Sequence, residues 1–386
     1  MNKNSKILFI VFALLIGAAA LILINNMNKE PISIGFVAQL TGKQAELGVQ
    51  ERNGVQLAVE MINESGGIHG RMIELVVRDD LGVPEGARAA DKELIDEGVI
   101  AIIGHATSGQ TAAGLETTNP ADVVLLSPTV STPKLSGIDD NFVRVYPSFK
   151  ESAEAFAEYT YQGDGIKRLA IIYDGDNAAY SKTYSEAFAE KFRSLDGTVT
   201  NEVMFSSVVQ PNFQPLLAKL SEDKPNGLLI IASDIDTALI AQRTRLMDWS
   251  IPLYTSAWAQ TETLISNGGQ AVEGLKLEQS YALTSETPIF LDFKARYEAR
   301  FGGDPSFGAA FGYEAAQVLA EAMKKTGGSA EGLKEALLSI RDFQGVIDTF
   351  SIDRFGDVER PFYLSSIHNG KFVVLEKLTL SENGEK

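Results

Sequence analysis

Cysteine is absent from all 386 residues, and that absence removes several chemistries at once. Disulfides, thiolate metal sites and thiol nucleophiles are excluded, as is a lipid-modified cysteine at a processed N-terminus. Histidine is scarce: the three are His69, His105 and His368. No H-E-x-x-H, G-x-G-x-x-G or P-loop run occurs, so no metal site or bound cofactor is expected. Basic residues are outnumbered. The 34 Lys and Arg against 51 Asp and Glu leave a formal charge of -17, and such a body repels phosphate backbones and anionic membrane surfaces. Nucleic acid is therefore not an expected partner.

One long apolar run exists, at the start. Lys3 and Lys6 precede Ile7–Ile24, and the polar Asn25–Glu30 follows. A positive flank, an apolar core and a polar exit describe an export signal. Ala18-Ala19-Ala20 offers a cleavage site, yet a cut there leaves Leu21–Ile24 on the mature chain. Uncut, the run of about 18 residues is near the lower limit for spanning a bilayer. Residues 1–30 are accordingly either a signal or an anchor. Either way the positive flank leaves the body outside the cytoplasm, in the periplasm or on the outer face of the membrane.

The remaining length and the 45% hydrophobic content suffice for two domains. From Pro31 onward, strands alternate with helices. Ile32–Val37 reads as a strand, and Val55, Ala58, Val59 and Ile62 then share one helical face that ends at Ser65-Gly66-Gly67. Ile73–Val77 is the next strand, and Pro84 opens the next helix. Val99–Ile103 and Val123–Leu126 are short apolar runs bounded by turn residues, the pattern of buried parallel strands. The alternation predicts an α/β fold with doubly wound parallel sheets.

Both short strands end in small polar clusters, one holding Thr107, Ser108 and Gly109 and the other Thr129, Ser131 and Thr132. Ligands of open α/β sheets bind beyond the strands' carboxyl ends. The segment Gln110–Thr118 reads as a helix, so the amides at Ser108 and Gly109 form an N-terminus able to attract an anion. Ser108 either contacts a ligand or caps its helix. A hydrolase elbow requires G-x-S-x-G, and here Ala106 and Gln110 flank the serine, which leaves a serine hydrolase as only the outside alternative. His105 reads as a loop residue bonding backbone.

At this point a family pattern emerges. The run Asn63-Glu64-Ser65-Gly66-Gly67-Ile68-His69-Gly70, followed by Arg78-Asp79-Asp80, Ile102-Ile103-Gly104 and Ser127-Pro128, resembles the solute-binding proteins of branched-chain amino acid ABC importers. The resemblance extends from about Ile32 to the C-terminus. It implies a type I periplasmic-binding-protein fold: two α/β lobes, a multi-crossing hinge, and a cleft that closes on a small ligand with no reaction catalysed. Residues 31–147 with 277–345 are expected to form one lobe and 148–276 with 346–379 the other, leaving 380–386 as a tail. The segment from Asp348 to Leu378 is expected to complete the second lobe as an antiparallel hairpin.

The resemblance also implies roles. Thr129 and Ser131 match positions that hold a ligand's α-carboxylate, beside Ser108 and Thr107, and Tyr180 matches a tyrosine reaching in from the second lobe. The family pattern has a glutamate for the ammonium where this chain has Ala257, next to Trp258. Asp234 either replaces that acid or is the N-cap of the helix that follows its own strand, and Trp258 either stacks on ligand or packs. The expected ligand is an amino acid or related carboxylate. The expected partners are membrane permease subunits, with the chain itself a monomer. The alternative is a tethered ligand-sensing domain of the same fold.

Overall fold

The computed structural model describes residues 29–42, 45–209, 211–281 and 285–380. The expected signal or anchor lies outside the described residues except for its last two. Among the described residues, no helix is long and apolar enough to cross a membrane.

The first sheet has the order β2-β1-β3-β4-β5, from β1 (Ile32–Ala38), β2 (Ile73–Asp79), β3 (Ala101–Gly104), β4 (Val124–Ser127) and β5 (Phe142–Arg144). All of its pairings are parallel. The strands read as continuous apolar runs because both faces are covered. Ile102 and Leu125 meet Leu94 of α2 (Pro84–Asp96) and Leu115 of α3 (Ser108–Thr118). Ile103 and Leu126 share the opposite core with α1 (Glu46–Glu64) and α10 (Phe307–Thr326). Those two helices approach closely through glycine: a Cβ on Gly54 would lie 1.9 Å from the Ala309 carbonyl oxygen.

The second sheet runs β14-β13-β10-β9-β8-β6-β7. Its parallel strands are β6 (Arg168–Asp174), β7 (Thr198–Phe205), β8 (Gly227–Ile231), β9 (Leu253–Thr255) and β10 (Lys276–Gln279). The antiparallel hairpin of β13 (Phe362–His368) and β14 (Lys371–Leu378) completes it. Helices α4 (Lys150–Glu158) and α5 (Ser181–Ser194) cover one face. Helices α6 (Phe213–Glu222), α7 (Asp234–Leu246) and α8 (Glu262–Gly268) cover the other. Helices α9 (Pro288–Phe301) and α11 (Leu333–Leu338) belong with the first lobe.

Two expected lobe boundaries are corrected. Strand β10 pairs with β9 and β13, so residues 277–279 belong to the second lobe, and the chain crosses back at Tyr281, which packs in the first core. The second correction concerns residues 346–360. Val346, Phe350, Ile352 and Val358 are buried in the first core, and the short hairpin of β11 (Phe343–Gln344) and β12 (Thr349–Phe350) stands there too. A buried ion network holds this segment. Arg360 donates from Nη1 to Glu314 Oε2 at 2.6 Å and to the Val145 carbonyl at 2.9 Å, and from Nε to Asp348 at 2.8 Å. Only after Arg360 does the chain enter the second sheet, so the hairpin closing that lobe is 362–378 rather than 348–378.

Candidate functional site

The carboxyl ends of both sheets face one cleft. From the first lobe come the turn after β3, which leads into α3, and the turn after β4. From the second come the turn after β6 and the 3-10 turn Ala257–Ala259 that follows β9. Thr107 holds the N-cap position of α3 in extended conformation without a side-chain cap bond, so α3 starts at Ser108, two residues before the sequence pattern placed it.

An inner chamber of about 30 Å³ is lined by Ala106, Thr107, Ser108 and Ser131 of the first lobe and by Asn177, Tyr180 and Trp258 of the second. Five residues singled out in the sequence, Thr107, Ser108, Ser131, Tyr180 and Trp258, thus meet around one space. An outer chamber of about 180 Å³ shares Thr107, Asn177 and Trp258 and adds Gln39, Gly82, Gln110, Asp176 and Ser207. Tyr180 and Trp258 meet edge to face at 5.7 Å, an apolar wall opposite the hydroxyls.

Two residues expected at the ligand stand elsewhere. The Thr129 hydroxyl donates to the Ala106 carbonyl at 2.9 Å and is in contact with Glu51 Oε1, and Thr129 lines neither chamber. One hydroxyl hydrogen serves one acceptor, so the close Glu51 contact is satisfied when Glu51 is the protonated donor. Burial indeed pushes Glu51 up to about 8, with Asp80 adding to the rise and the Thr129 bond opposing it. Asp234 is the first residue of α7 and not its cap, which is Ser233. Its carboxylate accepts from the Thr261 hydroxyl at 2.6 Å and the Ile235 amide at 2.7 Å, and it too lines neither chamber.

His105 is a second correction. It bonds no backbone group: its Nδ1 lies 2.7 Å from Asp80 and its Nε2 3.2 Å from Asp91, with the ring wholly buried. Burial alone would lower its pKa, but the two carboxylates outweigh burial and raise it to about 9. His105 directly precedes the Ala106-Thr107-Ser108 turn, so these two contacts anchor the chain where that turn begins.

The sequence reading also missed Asn177. Its Oδ1 accepts the Gly109 amide at 3.2 Å, so one amide of the α3 N-terminus is bonded across the cleft. Nearby, the Thr132 hydroxyl donates to the Ala179 carbonyl at 2.8 Å. Both bonds join the first lobe to the second. The signal was present in Asn177-Ala178-Ala179-Tyr180, but only the tyrosine carried a recognisable pattern. Glu278 is the other omission: it is buried behind Ala257, whose amide donates to it at 3.4 Å, and burial raises it to about 7. No cluster of acidic or histidine side chains suited to a metal ion occurs among the described residues.

Comparison with known proteins adds the context. A family model described as periplasmic binding protein matches residues 31–371. The Leu/Ile/Val-binding protein homolog 3 of Brucella melitensis is 25% identical over 351 residues, covering 89% of this chain and 94% of that protein. The crystal structure of a leucine binding protein, LivK, from Thermotoga maritima superposes with TM-score 0.83 at 27% identity, over 90% of this chain and 99% of that one. A solute binding protein of an ABC transporter from R. palustris, in complex with benzoate, has TM-score 0.82 at 21% identity, over 92% of this chain and 98% of that one.

Proposed function

The chain belongs to the periplasmic binding protein family, whose fold is that of non-enzymatic, extracytoplasmic solute-binding proteins, and from that premise we propose that it captures a small carboxylate for an ABC importer. The ligand, an amino acid or related organic acid, enters between the lobes, and the closed form passes it to a membrane permease. One observation carries this reading: hydroxyls of Ser108, Ser131 and Thr107 converge with the α3 N-terminus on a chamber walled by both lobes.

The chemistry follows from that arrangement. A helix N-terminus flanked by hydroxyls stabilises a carboxylate by dipole and hydrogen bonding, and each charge-assisted bond is stronger than a neutral one. Tyr180 and Trp258 reach the same ligand from the opposite lobe, so the ligand contacts both lobes only when they are closed. A ligand shifts a conformational equilibrium by its differential affinity for the two states, and here the closed state offers the extra contacts.

The test is a thermal-unfolding screen of the full chain against amino acids, aliphatic and aromatic carboxylates, and their methyl esters, repeated with Ser108→Ala. A stabilising acid whose ester is inert, and whose effect shrinks in the variant, is the expected result. Stabilisation by esters as strong as by acids would overturn the reading.

A further inference from the structure

We infer that the ligand carries no ammonium group on the carbon next to its carboxylate. This rests on the carboxylate-capture reading above and narrows it to a substrate class: 2-oxo, 2-hydroxy or unsubstituted carboxylic acids with an uncharged body, rather than α-amino acids.

The argument is one of reach. In an α-amino acid the ammonium nitrogen is two bonds from the carboxylate carbon. Its counter-charge must therefore stand in the wall of the chamber that holds the carboxylate. No acidic residue lines the inner chamber; its lining residues are Ala106, Thr107, Ser108, Ser131, Asn177, Tyr180 and Trp258.

None of the nearby acids lines the inner chamber. Asp234 accepts from Thr261 and Ile235. Glu51 faces Thr129, behind the turn and away from the chamber. Glu278 stands behind the Ala257 backbone and accepts that residue's amide. Asp176 is the one acid in the outer chamber, and there it accepts from the hydroxyls of Ser206 at 2.8 Å and Ser207 at 3.1 Å and from the Val208 amide at 2.8 Å. The internal residues outside the described set are Lys43, Gln44, Gln210, Ala282, Leu283 and Thr284, and none is acidic.

A charge buried without its partner is heavily penalised. The cleft supplies instead an edge-to-face aromatic wall, Tyr180 against Trp258, for whatever stands beside the carboxylate. From the cost of an uncompensated buried charge, discrimination of about 100-fold or more against the ammonium is expected.

Calorimetric titration of the full chain with matched pairs tests this: 4-methyl-2-oxopentanoate against leucine, 3-phenylpropanoate against phenylalanine, and phenylacetate against phenylglycine. The expected result is that at least one acid without the amine binds, about 100-fold or more tighter than its amino partner. An amino acid binding as tightly as, or tighter than, its partner overturns the inference while leaving the carboxylate-capture reading intact. Failure of every member of every pair, with binding instead of a ligand lacking a carboxylate or of none, overturns both.

Discussion

Arg360→Met removes the cation that ties three crossing segments together, and its cost follows from what is left behind. The Arg360 side chain is fully buried, as is Glu314, and it donates to Glu314, Asp348 and the Val145 carbonyl while lying over the rings of Phe311 and Phe350 at 4.8 and 4.3 Å. Glu314 also accepts the Ile347 amide at 3.3 Å and the Val346 amide at 2.5 Å, so its carboxylate cannot turn toward water when the arginine goes. Breaking a buried pair by removing one partner costs about 3–5 kcal/mol. For a lobe of this size each kcal/mol lowers the melting temperature by roughly 2–4 °C, so a fall of about 6–20 °C is expected. Calorimetric unfolding measures it. Adding Glu314→Gln to Arg360→Met should restore part of the loss, because an amide oxygen still accepts from Val346 and Ile347 and the fully buried charge is gone, while the Asp348 carboxylate, 19% exposed, keeps its own. A loss below about 1 kcal/mol, the value of an exposed pair, or a double variant no better than the single one, would refute the reasoning.

Three further outcomes are expected. Stability should fall as pH rises, because Glu51, Glu278 and His105 all hold protons more tightly folded than unfolded. The loss runs from 4.5 to about 8 for Glu51, from 4.5 to about 7 for Glu278 and from 6.5 to about 9 for His105. Denaturant midpoints measured between pH 5 and 9.5 should slope downward, and Glu51→Gln should flatten the part below pH 8. Ser108→Ala removes one hydrogen bond to a charged group, a loss of about 1.5–3 kcal/mol, so carboxylate affinity should drop about 10- to 100-fold in calorimetry. Gly54→Ala must push α1 from α10, since the added methyl meets the Ala309 carbonyl at 1.9 Å. A destabilisation of about 1–3 kcal/mol or more is expected from chemical denaturation.

The parallel strands were legible because burial on both faces makes them unbroken apolar runs, as in Ile102-Ile103 and Leu125-Leu126, and because glycine and proline punctuate the helices between them. Ser108 and Ser131, which line the chamber between the lobes, were legible because each stands in a polar cluster just beyond a strand, whereas Tyr180 and Trp258 entered through the family resemblance. Three features were not legible, for physical reasons. The lobe boundary near 346–360 depends on Arg360 meeting Glu314 and Val145, contacts 46 and 215 residues apart that no local pattern encodes. Thr129 and Asp234 occupy sequence positions suited to a ligand, but their side chains are taken by Glu51 and Thr261 from other elements. Asn177 contacts Gly109 only once the lobes meet.

The central claim is that the Ser108–Ser131 chamber holds a carboxylate between closed lobes. The most direct measurement is a crystal structure of the full chain with the small molecule it retains through native purification. The account predicts a carboxylate within hydrogen-bonding distance of the Ser108 hydroxyl and the α3 amides, with Tyr180 and Trp258 closed over the rest of the molecule. A retained ligand seated elsewhere, or one presenting a phosphate, a sugar or an ammonium to Ser108, would contradict it.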